Sequence, residues 1–126
     1  MRRYIIEFGM GTDFHGQDVT KAAAKAVSDA VHRSCLSGLT EVLNIKNLAE
    51  DVNIKVTVAV SRPEEVKTQE IKKCLPIGTV EVHAVSGGLN MHGLYLPQFG
   101  DKDDSIEVAI AVVEVEIPEK FQVCVK

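Results

Sequence analysis

Between Val19 and Val31 the apolar residues Val19, Ala22, Ala23, Ala26, Val27, Ala30 and Val31 fall on one stripe at helical spacing. The stripe is almost entirely Ala and Val, so a helix here has a thin face. Such a face lies close against a sheet, and that requirement constrains the rest of the fold. Asp18 stands where an N-cap belongs, and Gly38 is a natural residue beyond the helix end. Lys21, Lys25, Asp29 and His32 take the opposite face, with Lys25 and Asp29 four apart and spaced to pair.

Upstream, Tyr4-Ile5-Ile6-Glu7-Phe8 predicts a strand over residues 3–9 with both faces covered. Strand and helix are joined by Gly9-Met10-Gly11-Thr12-Asp13-Phe14-His15-Gly16. This reads as a strand-to-helix turn in which glycines allow unusual backbone angles.

Residues 39–51 fit neither period and read as a loop with a short turn of helix or strand. Ile54, Val56, Val58 and Val60 alternate with Lys55, Thr57 and Ala59, which predicts a second strand. Ser61-Arg62-Pro63-Glu64 has the form of a capping box with Pro in the first turn. It opens a short helix within 63–75, with Val66, Ile71, Cys74 and Leu75 as its apolar face, closed by Pro76 and Gly78. A third strand begins at Val80, Val82 and Ala84 and runs into Ser86-Gly87-Gly88. Residues 89–104 then read as a long loop with an acidic tip at Asp101–Asp104. The fourth strand covers 105–117. Its apolar phase switches after Val112, which predicts a bulge at Val112-Val113. Phe121 to Val125 alternates as a short edge strand.

The order is β-α-β-α-β-β: an α+β domain spanning 1–126, with a four-stranded mixed sheet and two helices on one face. The other face is expected to carry Lys55, Thr57, Ala59, Glu81, His83, Val85, Glu107, Ala109, Ala111 and Val113. Left open, its small apolar patch would be a liability, so it is expected to pack against other copies of the chain. A net charge of −4 gives no basic footprint for nucleic acid. No stretch approaches the ~20 apolar residues of a membrane span. Glu7 and Gly9 end the first apolar run too early for a signal peptide. Three cysteines, Cys35, Cys74 and Cys124, are odd in number and widely spaced, as in a reduced cytoplasmic protein.

The pattern Gly9-x-Gly11-x-Asp13-x-His15-Gly16 resembles the signature of the Listeria-type conserved hypothetical proteins, over nearly the whole chain. A second resemblance is to single repeats of ring-opening amidohydrolases of the cyanuric acid hydrolase and barbiturase type. Gly9-Met10-Gly11-Thr12-Asp13 before a helix is similar to their first turn, and Ser86-Gly87-Gly88 to their second. That resemblance implies a serine nucleophile at Ser86. Met10 or Gly11 stands where the activating lysine would fall. The element order is also similar to the trimeric chorismate-mutase-like fold. Both comparisons imply a homo-oligomer, a trimer or a multiple of three, with sites between subunits.

Several residues admit two readings. Gly9, Gly11 and Gly16 either serve turn geometry alone or offer backbone N–H groups to an anion or carbonyl oxygen. Their spacing is neither the dinucleotide fingerprint nor a nucleotide-triphosphate loop. Asp13 and His15 either bond to the turn or form an oriented acid/base pair. Ser86 with Gly87 and Gly88 is either a strand-end turn or a nucleophile whose base is His15 or His92. Asp13, His15 and His92 have the ligand types of a two-His, one-carboxylate metal set. The residues fix neither a metal nor a cofactor. His32 reads as a solvent-facing helix residue, and His83 beside Glu81 as a structural partner on the interface face.

Two functions follow. The first is a small-molecule enzyme that hydrolyses a cyclic amide or related acyl compound. Ser86 attacks, His15 is the base, Asp13 shares the cleft, and the glycine-turn N–H groups hold the oxyanion. The second is a non-catalytic binding module for an anionic metabolite or a metal ion at the same turns.

Overall fold

In the computed structural model, which describes residues 1–34 and 36–121, the chain runs β1 (Arg2–Asp13), α1 (Val19–Ser34), α2 (Leu48–Asp51), β2 (Asn53–Val60), α3 (Thr68–Lys72), β3 (Thr79–Ser86), β4 (Leu89–His92) and β5 (Ser105–Ile117). Turns of 3-10 helix lie at Pro63–Glu65, Pro97–Phe99 and Glu119–Phe121. Cys35, Cys124 and the 122–125 part of the expected edge strand lie outside the described residues. No helix among the described residues is long and apolar enough to cross a membrane.

The strands form one mixed sheet in the order β1-β5-β2-β3, with β4 also paired to β5. β1 and β2 are each antiparallel to β5, and β3 is parallel to β2. β1, β2 and β3 therefore run the same way and finish at one end of the sheet. The glycine-rich motif and Ser86-Gly87-Gly88 both belong to that end. β4 takes up Ser105–Val108 of β5, just beyond Ile110, where the pairing with β2 stops.

The sheet has five strands rather than four. The extra strand is Leu89–His92, inside the stretch expected to be a loop. All four of its residues are exposed, so it lacks the alternation that betrays a half-buried strand. The expected helix within 63–75 is a 3-10 turn followed by the five-residue α3. The expected capping box does not form. Arg62 occupies the cap position without a side-chain bond, and Ser61 turns to Glu107 instead.

β1 runs four residues further than expected, through both Gly9 and Gly11. These glycines belong to the strand and face α1. A Cβ at Gly9 would sit 2.1 Å from the Ala26 carbonyl oxygen, and one at Gly11 would sit 2.4 Å from that of Ala22. The small-residue stripe of α1 and the glycines of β1 are thus two halves of one close contact. Asp18 is the N-cap of α1, accepting from Thr20 N–H at 3.0 Å and Lys21 N–H at 3.1 Å. Lys25 and Asp29 reach the edge of β1. Lys25 Nζ donates to the Thr12 carbonyl, and Met10 N–H donates to Asp29, which also pairs with Arg33. An edge strand is shielded in this way by the helix above it.

The core lies between sheet and helices. Ile54, Val56, Val58 and Val60 of β2 and Val113 and Val115 of β5 are fully buried with Ala23, Ala26, Val27 and Ala30 of α1. Each Val or Ile buried this way contributes roughly 1.5–3 kcal/mol. β5 keeps one phase throughout, with odd residues from Glu107 to Ile117 buried. The expected bulge at Val112-Val113 is absent, and the register shift in the β1–β5 ladder lies between Arg3 and Ile5. Glu107, Ala109, Ala111 and Val113 accordingly lie on the helix side, not on the open face. The open face carries Val108, Ile110 and Val112 from β5, together with Ile6, Phe8 and Met10 from β1. Phe8 and Met10 are 57% and 58% exposed.

Candidate functional site

The end of the sheet where β1, β2 and β3 finish carries most of the buried polar side chains. Asp13, Gln17, Asp101 and Glu107 are each at least nine-tenths buried there. None of the described buried side-chain N or O atoms lacks a hydrogen-bond partner.

Asp101 is the centre of this network. Its carboxylate accepts from Gly16 N–H at 2.8 Å, Leu96 N–H at 2.8 Å, His15 Nδ1 at 2.8 Å and Gln17 Nε2 at 3.2 Å. Burial works against its charge. The bonds from Leu96, His15, Gly16 and Gln17 outweigh that and hold the carboxyl well below its ordinary range. Gln17 extends the network. Its Nε2 donates to the Ser105 carbonyl at 2.9 Å, and its Oε1 accepts from Lys102 N–H at 2.9 Å. Its own carbonyl accepts from Arg62, which also pairs with Glu65. Gln17 sits at φ 52 and Gly16 at φ 96, so the chain makes two left-handed steps before α1 begins.

An ionised carboxylate can only accept, so the His15 Nδ1 beside Asp101 carries its proton. In the neutral ring Nε2 then holds the lone pair, and no described protein group bonds to it. The ring packs on Phe99 at 5.3 Å between centroids, tilted by 34°. His15 also lines a pocket of about 250 Å³ with Phe14, Gly93, Leu94 and Ile106. The ring is therefore oriented by a carboxylate at Nδ1 and contributes to the lining of a largely apolar cavity.

The remaining candidates are dispersed. Asp13 accepts from Asp18 N–H at 2.8 Å, bracing the turn, and bonds to neither His15 nor Ser86. Ser86 ends β3 at the same end of the sheet, but three strand positions from β1. At 4.7–4.9 Å per strand that is roughly 14 Å across the sheet from β1. Gly87 N–H donates to the Val60 carbonyl, and Gly88 lies against the Val108 carbonyl at φ 73. The Gly16 N–H is taken by Asp101. His92 is paired with Asp104 at 3.1 Å, and that carboxylate's hydrogen bond and charge raise its pKa. Asp13, His15 and His92 thus have separate partners. Among the described residues no group of three or more His, Cys, Asp or Glu is placed to hold a metal ion.

Two residues central to this end of the sheet, Asp101 and Gln17, were not singled out by the sequence. Asp101 reads as part of a solvated acidic tip, and its role depends on that loop folding back onto the motif. The available signal was an unusually long loop beside a glycine-rich turn. Glu107 also emerges here. Its carboxylate accepts from Ser61 N–H at 2.7 Å, Ser61 Oγ at 2.6 Å and Asn90 Nδ2 at 3.3 Å.

Among solved structures, the chain is similar to the crystal structure of an FtsZ-like protein of unknown function from Nostoc punctiforme PCC 73102. The two share 41% identity and a TM-score of 0.83, over 94% of this chain and 97% of that one. A distant match to an FtsZ dimer from M. jannaschii has 13% identity and a TM-score of 0.31, over 86% of this chain and 26% of that one. Among curated proteins, none matches. The family model described as "Conserved hypothetical protein (Lin0512_fam)" matches residues 3–115, and the chain belongs to that family.

Proposed function

We propose that the chain is a small-molecule acid/base enzyme whose working group is His15, held by Asp101. The observation that carries this reading is the 2.8 Å bond from His15 Nδ1 to a buried carboxylate, made by a ring that borders an apolar pocket. A carboxylate that fixes the tautomer and orientation of an imidazole prepares its other nitrogen for proton transfer. The reaction class that fits best is hydrolysis of a cyclic amide or related acyl compound. Ser86 ends β3, three strand positions from β1, so the nucleophile in this reading is water. His15 Nε2 removes a proton as the water oxygen attacks the carbonyl carbon. The same proton passes to the ring nitrogen as the C–N bond breaks. Phe14, Leu94 and Ile106 supply the apolar walls, and other copies of the chain cover the open face beside them.

The test uses five- and six-membered cyclic imides, followed by thermal shift and by chromatographic detection of the ring-opened acid. The expected result is stabilisation and turnover in the native protein. In His15→Ala turnover falls by 10²–10⁴-fold, the usual contribution of a general base. Full turnover in His15→Ala would remove His15 from the reaction.

A second reading is a non-catalytic site for an anionic metabolite. Arg62, Lys67 and Lys102, together with Asp18 and Glu65, line a polar cavity of about 210 Å³ beside the first turn of α1. It is favoured by the absence of a free N–H at Gly16 to hold an oxyanion. Stabilisation by phosphate or small dicarboxylates, with no product from any imide, supports it over catalysis.

A further inference from the structure

The two outer edges of the sheet are treated differently. The C-terminal part of the β1 edge is capped by Lys25 at Thr12 and Asp29 at Met10, as described above. The far edge, β3, has eight residues without proline, and no described side chain hydrogen-bonds to its backbone. Long bare edges of this kind invite pairing with another strand.

The backbone phase of β3 follows from two bonds. Thr79 N–H donates to the Val52 carbonyl and Gly87 N–H to the Val60 carbonyl, both at 2.9 Å. Successive residues of a strand direct their N–H and C=O groups to alternate sides. Odd-numbered residues of β3 therefore address β2, and Val80, Val82 and Ala84 direct theirs away from the sheet.

We propose that β3 pairs antiparallel with β3 of a second copy of this chain, about a two-fold axis at Val82. This reading is independent of the chemistry at His15. In this register Val82 exchanges hydrogen bonds with Val82 of the second copy, and Val80 does so with Ala84. Glu81 lies opposite His83 on the open face, twice by symmetry, at the closer non-hydrogen-bonded positions. Within one chain Glu81 and His83 already approach at 3.3 Å, with side chains 58% and 60% exposed. The carboxylate–imidazole pairing selects the register. Moving the axis to residue 81 sets Glu81 against Glu81, and moving it to residue 83 sets His83 against His83. Moving it further leaves Glu81 without His83 opposite and shortens the ladder. The axis at Val82 also keeps both helix layers on one side, so the two open faces join into one apolar surface.

The test is light scattering of the full chain at micromolar concentration, with circular dichroism of each variant. The native chain is expected to dimerise or form a multiple of dimers. Val82→Pro removes an outward N–H that bonds to nothing among the described residues, so the fold is expected to persist while the dimer is lost. Glu81→Lys is expected to raise the dissociation constant about tenfold, and Glu81→Lys with His83→Glu to restore it. The charge pair decides the matter if Val82→Pro disturbs the fold. A monomeric native chain would overturn the pairing. So would an oligomer insensitive to Glu81→Lys, including one broken only by Ile110→Glu on the open face. That last result would leave coverage of the open face by other copies standing and eliminate the edge contact alone.

Discussion

Asp13 and Glu107 are directly paired across the β1–β5 ladder, and both carboxyl groups are turned into the protein. Like charges opposite one another in a sheet are unfavourable. Here each carboxylate is committed to a different turn: Asp13 to the start of α1, Glu107 to the exit from β2. Removing Glu107 takes away the acceptor shared by the Ser61 N–H, the Ser61 Oγ and Asn90, and empties a fully buried position. Glu107→Ala is therefore expected to destabilise the fold by about 1–3 kcal/mol. Glu107→Gln keeps an acceptor and removes the charge facing Asp13, so it should cost less than Glu107→Ala. Urea unfolding of the two variants checks this order, and an equal loss in both would contradict it.

The glycines of the motif separate into two physical classes, which gives a second prediction. Gly9 is pressed against the backbone of α1, whereas Gly16 is open around its Cα but sits at φ 96. Gly9→Ala meets a carbonyl oxygen that no side-chain change can move. It should cost at least the 1–3 kcal/mol typical of overpacking. Gly16→Ala should cost about 1–2 kcal/mol, from backbone strain alone. Thermal melting of both variants tests the ranking.

The same contrast explains what the sequence disclosed. The stripe of α1 was legible because a helix with one buried face must repeat at its own period. β2 was legible because its outward residues Lys55 and Thr57 are polar. β5 was misread because its open face carries Ile106, Val108, Ile110 and Val112, while its buried face has Glu107, Ala109 and Ala111. Small residues are needed where α1 comes close, and the larger ones were free to lie outside. The pattern of side chains changes after Val112 because the identities change, not because the strand bends. Of the buried polar network, His15 was singled out by its glycine-rich motif. Asp101 could not, because a partner 86 residues away depends on loop closure rather than on any local pattern.

The acid side of the stability profile should report Asp101. Its folded-state pKa lies below the ordinary 3.8, held down by its donors against the cost of burial. A depressed carboxyl contributes its full stabilisation above the ordinary value and loses it progressively as pH falls below that value. Native protein and Asp101→Asn should therefore differ most at neutral pH and converge in strong acid. His92 has the opposite sign. Its pKa is raised by Asp104, so that pair contributes below the ordinary 6.5 and fades as pH rises through the folded value. The His92 pair is exposed, so His92→Ala should change the profile little. Melting curves across acid to neutral pH in the three proteins check both signs.

Ile110 and Val113 lie three residues apart on β5 and point to opposite faces, at 46% and 0% exposure. Val113 is closed in by the helix layer, where an unpaired carboxylate would lack any partner. Val113→Glu is expected to abolish folding or cost several kcal/mol. Ile110 lies on the open face among Phe8, Met10 and Val108, where a carboxylate in the isolated chain reaches water. Ile110→Glu should leave the chain within about 0.5 kcal/mol of native stability when monomeric. If other copies cover this face, the same variant should lose their contact, because a charge buried in an apolar interface has no compensating partner. Denaturant unfolding at low concentration measures the first effect, and light scattering at higher concentration measures the second. Unfolding of Ile110→Glu to the same extent as Val113→Glu would contradict the phase assigned to β5, and with it the open face.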